Sequence, residues 1–312
     1  MKDIFKKLTA IKSILDSIYN NPLTKKNKFK SILKFFTFNF SRFLNNKIEV
    51  IVPWVENSKF IIGINNIQLR WNVYWGLVEC QDMCFLLHAL REEDKFIDVG
   101  ANVGIYTILA SKVVGAKSIA FEPVLETVKK FNEQMSINRI NHLVSINHKA
   151  VGSKVGKIKI SNHNDTRNVL NKVLNETNLD KNDVVEVDLT TLDSEIKNDN
   201  ANYIVKIDVE GYEFEVIQGA EKILSSNKLL ALIIENNNMS SEYGVQRETI
   251  HNKIISYNLH PVTYNPFTRK ITKKLNFKST LNTIYVNDIA KIENLCLKAK
   301  KFKIHTASGI EI

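Results

Sequence analysis

The sequence predicts an α/β protein built on a doubly wound, mostly parallel sheet. Three observations predict it. Between Phe96 and Val286, short apolar runs of strand length alternate with stretches of helical period. Four of those runs end in or just before an acid: Asp98, Glu122, Asp208 and Glu235. The first runs into the turn Asp98-Val99-Gly100-Ala101-Asn102-Val103-Gly104 and then the helical pattern Ile105 to Ala110. In such sheets ligands bind beyond the carboxyl ends of the strands, so acids at those ends are the candidates for function.

The chain has 312 residues, enough to bury a full core. The expected division is a basic N-terminal extension (1–70), a main domain (71–290) and a basic C-terminal tail (291–312). Within the extension, apolar residues recur with near-helical period at Ile4, Phe5, Leu8, Ile11, Ile14, Leu15 and Ile18. Asn20-Asn21-Pro22 breaks that helix, and an aromatic-rich patch follows from Phe29 to Phe43. Ile48 to Val55 and Phe60 to Leu69 read as strands of a small hairpin. Trp71 to Arg91 reads as a helix leading into the glycine strand.

In the main domain, Ser118 to Phe121 is the second strand, and Glu122-Pro123 opens a helix over Leu125 to Ser136. Strands are expected at Leu143 to Val151, Lys157 to Ile160, Val184 to Leu189, Tyr203 to Ile207, Leu229 to Ile234 and Thr283 to Val286. Thr190 or Thr191 caps a brief helix with Asp193 in its first turn. Further helices are expected near Glu213 to Ser225 and Gln246 to Tyr257. Ser161 to Asp183 is polar and Asn-rich, and reads as a lid over the cleft.

Charge and composition narrow the function. The net charge is +10, but residues 1–50 hold eleven Lys/Arg against three Asp/Glu and residues 291–312 hold five against two. The middle is therefore near neutral, unlike a domain that grips nucleic acid around its cleft. Charges at Lys2, Asp3, Lys6 and Lys7 interrupt any secretory signal, and no apolar run approaches the ~18 residues of a membrane span. Three cysteines, Cys80, Cys84 and Cys296, form no disulfide framework or zinc pattern. A cytoplasmic protein is the expectation, with a peripheral seat at the inner face of a membrane open through residues 1–45. The competing reading of that basic amphipathic segment, a helix packed on the main domain with solvated lysines, is the favoured one.

The glycine turn is not G-x-G-x-x-G. Asp98 stands two residues before Gly100, where a pyrophosphate would meet repulsion, whereas an acid suits a cation such as an amino acid's ammonium. The two glycines are expected to let a ligand approach bare backbone. Glu122 lies eighteen residues past Gly104, near the spacing at which an acid holds a ribose diol. The loop thus reads as a nucleoside site without a phosphate. An ordinary strand–turn–helix with two surface acids is the plainer alternative. Asp98, Gly100, Gly104 and Glu122 together resemble the pattern of class I S-adenosylmethionine-dependent methyltransferases.

A second motif sharpens this. Lys206-Ile207-Asp208-Val209-Glu210-Gly211-Tyr212-Glu213, followed by Val216-Ile217-Gln218-Gly219-Ala220, joins Phe121-Glu122-Pro123, Leu189-Thr190-Thr191-Leu192-Asp193 and Ile233-Ile234-Glu235. With the Asp98–Gly104 loop, these resemble the FkbM family of methyltransferases over roughly Val73 to Asn237, and more weakly toward Asp288. The resemblance implies a class I, Rossmann-like fold, S-adenosylmethionine as cofactor, and O-methylation of a sugar or related hydroxyl in glycan, glycolipid or secondary-metabolite synthesis. It further implies that Asp98, Gly100, Ala101, Asn102 and Gly104 line the methionine side, with Glu122 and Pro123 at the ribose. The strand through Ala150 is placed near adenine, and Glu79 matches a family glutamate facing the cofactor or stands as an exposed helix acid.

Methyl transfer from a sulfonium is an in-line displacement that needs alignment and removal of the acceptor proton. Asp208 is the leading base, or else an acid that orients cofactor. Of Glu210 and Glu213, one is expected to brace the loop and the other to face the acceptor. Asp208, Glu235 and Asn236 would also form an all-oxygen set suited to Mg²⁺ or Mn²⁺, which could replace a side-chain base. His148, His163, His251 and His260 are further bases, with structural roles favoured for His148 and a solvent-exposed one for His163. Asn265-Pro266-Phe267 follows the wrong strand for an amino-group methyltransferase and lacks its second proline. The expected partner is a small-molecule or glycan acceptor. A ribose-2′-O RNA methyltransferase, with its usual Lys replaced at one strand end by Glu235-Asn236, is the enzymatic rival. A cofactor-binding fold that scaffolds a glycan-assembly complex at a membrane through residues 1–45, without turnover, is the other.

Overall fold

The protein is described from a computed structural model covering residues 2–44, 49–63, 67–161, 173, 184–197, 200–235, 238–274, 282–306 and 309–312. The chain divides into two compact units, one of residues 1–80 with 301–312 and one of residues 81–300.

In the first unit, helices α1 (Lys2–Asn20) and α2 (Lys28–Leu44) pack on each other. The break between them is built by Asn21, whose Oδ1 accepts from Leu23 N, and by Thr24, whose hydroxyl donates to the Ile18 carbonyl. An antiparallel hairpin follows, β1 (Val50–Pro53) with β2 (Lys59–Ile62). The expected strand from Phe60 stops at Ile62, because residues from Ile67 join helix α3 (Ile67–Trp75). The expected helix 71–91 is in fact two, α3 and α4 (Cys80–Ala89), parted at Gly76, whose φ of 91° breaks the helix. Trp54, fully buried, donates its indole N–H to the Gly76 carbonyl and ties the hairpin to that break.

The second unit is built on an eight-stranded sheet. Its parallel centre is β3 (Lys95–Val99), β4 (Lys117–Phe121), β5 (Val144–Asn147), β9 (Tyr203–Ile207) and β10 (Leu229–Glu235). Beside them a small separate sheet joins β6 (Ala150–Val151), β7 (Gly156–Ser161) and β8 (Val184–Thr190). The expected strand 143–151 is therefore split: His148 and Lys149 carry the chain from one sheet to the other. Three strands finish the large sheet, β11 (His260–Tyr264), β12 (Ile271–Lys273) and β13 (Asn282–Val286). The order is β12-β11-β13-β10-β9-β3-β4-β5, with β13 antiparallel to both neighbours. Strand order reverses at β3, with β4 and β5 added on one side and β9 and β10 on the other, so the switch point lies between the tips of β3 and β9.

Helices complete the layers. Helix α5 (Ile105–Thr107) continues as a π-helix, Ile108–Val114, that ends at Gly115 with φ 96°. Helix α6 (Leu125–Asn138) runs one turn's fraction beyond its expected end. Helices α7 (Leu192–Glu195), α8 (Glu213–Gln218), α9 (Glu221–Leu224) and α10 (Arg247–Ile255) follow. Their Leu192, Val216, Ile217, Leu224, Ile250 and Ile254 bury against Ile97, Val99, Val205, Ile207, Leu232 and Ile234. The two-residue spacing along each strand puts that set on one face of the sheet. The expected helix 213–225 is interrupted at Gly219, where a Cβ would lie 1.9 Å from the Gly152 carbonyl oxygen. Residues expected as a basic tail begin with a regular helix, α11 (Ile289–Lys298), capped by Asp288 accepting from Lys291 N. In the first unit, β14 (Lys303–Ile304) and β15 (Ile310–Glu311) form a short hairpin.

Candidate active site

Register brings the acids together. Asp98 on β3 is paired with Lys206 on β9, and Lys206 with Ile233 on β10, so all three share one face. Two residues further along each chain stand Gly100, Asp208 and Glu235. The same period-2 step puts them on that face at the sheet's carboxyl edge.

The β3 tip is held by contacts with its neighbours. Asp208 N donates to the Val99 carbonyl at 3.0 Å, while Gly100 N and Ala101 N both donate to the Phe121 carbonyl. Gly100 has φ +76°, and a Cβ there would sit 1.8 Å from the Asp208 carbonyl oxygen. At Gly104, φ +82°, a Cβ would strike the Phe131 ring and the Met135 methyl at 2.7 Å. The space a side chain would take at either glycine is thus filled by the chain itself, which excludes a Cβ at both positions. Asn102 also takes a left-handed φ of 49°, which aims its N–H at Glu122 Oε2, 3.0 Å away.

Two buried carboxyls flank this loop. Asp98 is 1% exposed, accepts from the Thr107 hydroxyl at 2.7 Å, and is pushed by burial up to about 6, with Lys206 pulling the other way. Glu122 accepts from Asn102 N and, through Oε1, from Val124 N at 2.9 Å. Burial pushes it up to about 7 against those two bonds. Pro123, the next residue, lines a cleft of about 420 Å³ with Glu126, His148, Val187 and Asp188. Ala150 is buried in a small core with Val124, Ile160 and Leu189. Glu79 belongs to the first unit, half-buried in the turn before α4.

The tips of β9 and β10 are different in kind. Asp208, Glu210 and Glu235 each place a carboxylate oxygen within 4.8 Å of the others. The Lys206 ammonium, on a side chain 4% exposed, lies 2.6 Å from Asp208 Oδ2 and 4.7 Å from the centre of the Tyr106 ring. Burial, then the charges of Asp208, Glu210 and Glu213, push Glu235 up to about 9. Its Oε2 has no hydrogen-bond partner among the described residues. Asn282, paired with Glu235 across the sheet and 7% exposed, likewise has its Nδ2 unpartnered among them. Asn236 falls outside the described residues.

Glu210 reaches the cluster because its φ is +55°, followed by Gly211 at +105°. Gly211 is required there: a Cβ would meet the Tyr243 ring at 2.8 Å and the Met239 backbone at 3.0 Å. Glu213 is the brace of the loop. It is 2% exposed, and its Oε1 accepts from Val209 N and Gly211 N. Burial raises it to about 7. Of the expected lid only Ser161, which ends β7, and Val173 are described; the Val173 carbonyl accepts from the Tyr243 hydroxyl at 2.7 Å. His163 lies outside the described residues with the rest of that segment.

The other histidines have structural partners or positions. His148 Nε2 is 3.0 Å from the Pro123 carbonyl, His251 Nδ1 is 2.9 Å from the Tyr285 hydroxyl, and His260 sits in β11 opposite Val286. Asn265 forms the β11–β12 turn, its Oδ1 accepting from Phe267 N and Thr268 N. Sequence reasoning missed Lys206, Tyr106, Thr107 and Asn282. For Lys206 a signal existed: a lone cation inside the otherwise apolar run Tyr203 to Ile207.

A central parallel sheet extended at one edge by β13, β11 and β12, each antiparallel to the strand before it, and acids at the tips of β3, β4, β9 and β10, define a Rossmann-like methyltransferase fold. Residues 98–279 match the model of the methyltransferase FkbM domain, and the chain belongs to that family of S-adenosylmethionine-dependent methyltransferases. No curated protein matches the chain. Among solved structures it is similar to an rRNA methylase from Streptococcus thermophilus, at 15% identity and TM-score 0.36, covering 65% of this chain and 91% of that one. It is also similar to the Streptococcus mutans protein SMU.1697c in complex with SAH, at 13% and 0.38, covering 65% and 93%. A third is a ribosomal protein L11 methylase from Lactobacillus delbrueckii, at 12% and 0.37, covering 67% and 78%. The assignment rests on the strand order and the family match.

Proposed function

We propose that this methyltransferase moves the methyl group of S-adenosylmethionine onto a hydroxyl oxygen of a small-molecule or glycan acceptor at the Asp208–Glu210–Glu235 cluster. The observation that carries the reading is that cluster: three carboxylates within 4.8 Å at the switch point, beside the buried Asp98 and Lys206. Asp98 and the Gly100–Gly104 loop take the amino-acid end of the cofactor, and Glu122, its two oxygens already oriented by backbone N–H groups, accepts from the ribose diol. Pro123 and Ala150 lie on the nucleobase side.

Transfer to oxygen needs the hydroxyl aligned with the methyl carbon and its proton taken up. Asp208 is the base: it is anchored by Lys206 at 2.6 Å and its side chain remains 28% exposed. Lys206 holds Asp208 in orientation and offsets the negative charge of its neighbours. Glu210 faces the acceptor, while Glu213 keeps Val209 to Gly211 in place. Such a base supplies on the order of 3–5 kcal/mol of barrier lowering.

The same carboxylates suit a hard divalent ion, Mg²⁺ or Mn²⁺. They are all-oxygen donors, and Glu235 Oε2 is a buried atom without a partner among the described residues. Asp208, Glu210 and Glu235 would hold it. When bound it would lower the acceptor hydroxyl's pKa.

The test is incubation with methyl-labelled S-adenosylmethionine and separated pools of cell glycans, lipids and RNA. Label in a glycan or small-molecule pool as a base-stable methyl ether supports the reading. Label confined to RNA, or to nitrogen, overturns it. Turnover unchanged by a chelator and by added Mg²⁺ removes the ion and leaves Asp208 as base.

A further inference from the structure

Helix α2 carries an apolar stripe that the described residues of its own unit leave exposed. Phe29, Leu33, Phe36 and Phe40 are 77%, 50%, 51% and 63% exposed. Their spacing of four, three and four residues confines them to roughly 60° of the helix circumference. The opposite side faces inward: Ser31 and Phe35 are buried, and Phe35 and Phe38 set their rings edge-on to Tyr74 of α3 at 5.1 and 6.0 Å. Asn39 fixes the same side by donating from Nδ2 to the Tyr74 hydroxyl at 3.0 Å. The helix is therefore held in one rotation, with four large apolar side chains turned outward.

The charge around the stripe selects what can cover it. Residues 17–48 contain seven Lys/Arg and no Asp or Glu. Lys25 and Lys30 are exposed, and Lys28 stands with its ammonium 3.4 Å from the centre of the half-exposed Tyr19 ring. Lys34, by contrast, donates to the carbonyls of His305 and Thr306 and belongs to the inner face. An apolar strip rich in phenylalanine, bordered by cations and free of acids, matches an anionic lipid surface: rings enter the acyl boundary and ammonium groups meet phosphates. A globular partner would have to be both apolar and acidic over the same strip.

We infer that α2 seats this protein on anionic membrane surfaces, with Phe29, Leu33, Phe36 and Phe40 inserted and Lys25, Lys28 and Lys30 at the headgroups. This is independent of the acceptor chemistry, because none of these residues belongs to the candidate active site.

The experiment is co-sedimentation of the full chain with phosphatidylcholine vesicles, with and without phosphatidylserine. Binding is expected only with phosphatidylserine. It should fall about tenfold or more for Phe29→Ser with Phe36→Ser, and for Lys25→Glu with Lys30→Glu. Both variants should keep the melting temperature and S-adenosylhomocysteine affinity of the parent. Insertion is read separately with Phe36→Trp, whose fluorescence should be quenched by brominated lipid more than that of the parent's own tryptophans. No sedimentation with phosphatidylserine vesicles overturns the inference. So does binding indifferent to the Phe substitutions, or a dimer or an RNA complex that those substitutions dissolve without any vesicle binding.

Discussion

The tips of β3 and β4 and the tips of β9 and β10 are adjacent, yet they treat their carboxylates in opposite ways. At β3 and β4 the chain itself contacts its acids: Thr107 donates to Asp98, and two backbone N–H groups divide the oxygens of Glu122. At β9 and β10 three carboxylates place oxygens within 4.8 Å of one another, one of them, Asp208, paired with the Lys206 ammonium, and an oxygen of Glu235 has no partner among the described residues. At the crowded tips, burial and the neighbouring charges favour a proton or a cation at Glu235. On the proposed reading the labour is divided: the first pair of tips would bind cofactor and the second pair would perform the chemistry.

The largest perturbation should breach that division from the middle. Gly100→Ala places a methyl 1.8 Å from the Asp208 carbonyl, at a φ hostile to side chains. It should cost on the order of 3 kcal/mol of stability or more, and remove cofactor binding and turnover together, as read by thermal melting and calorimetry. Asp208→Asn should separate the halves. Methyl transfer should fall about 10²–10⁴-fold while S-adenosylhomocysteine affinity stays within about threefold, because the amide keeps the shape and loses the base.

Glu122 gives the converse and a pH signature. Its folded carboxyl sits at about 7, above the ordinary 4.5, so it binds its proton more tightly in the folded protein. Its ionised form contributes no stability as pH rises; stability instead declines between those two values. In its proposed role Glu122 would accept from a ribose diol in the ionised form, so cofactor affinity should rise about tenfold between pH 6 and 8. Glu122→Gln should flatten that rise and weaken binding throughout. Glu235→Gln should have the smallest effect on stability, within about 1 kcal/mol, since the folded state already favours the neutral side chain. It should still depress turnover, and any activation by Mg²⁺ should disappear with it.

Much of the fold was legible because its signals are local. Asp98, Gly100, Gly104 and Glu122 are fixed by spacing within a strand–turn–helix–strand unit, and β3, β4, β9 and β10 appear within a residue or two of their expected positions. What was not legible depends on register between distant segments. Nothing local says that Lys206 stands opposite Asp98, that a left-handed Glu210 reaches Glu235, or that Asn282 pairs with Glu235. The role of Gly100 illustrates the limit. Its need for a bare backbone was readable, but the occupant of the space, the Asp208 carbonyl, comes from more than a hundred residues away.

The most direct test of the divided site is a calorimetric titration with S-adenosylhomocysteine on the parent chain and on Asp208→Asn. The account predicts one site per chain, with closely similar affinities, in both proteins. Absence of heat in a folded parent, or loss of binding in a folded Asp208→Asn, would contradict it.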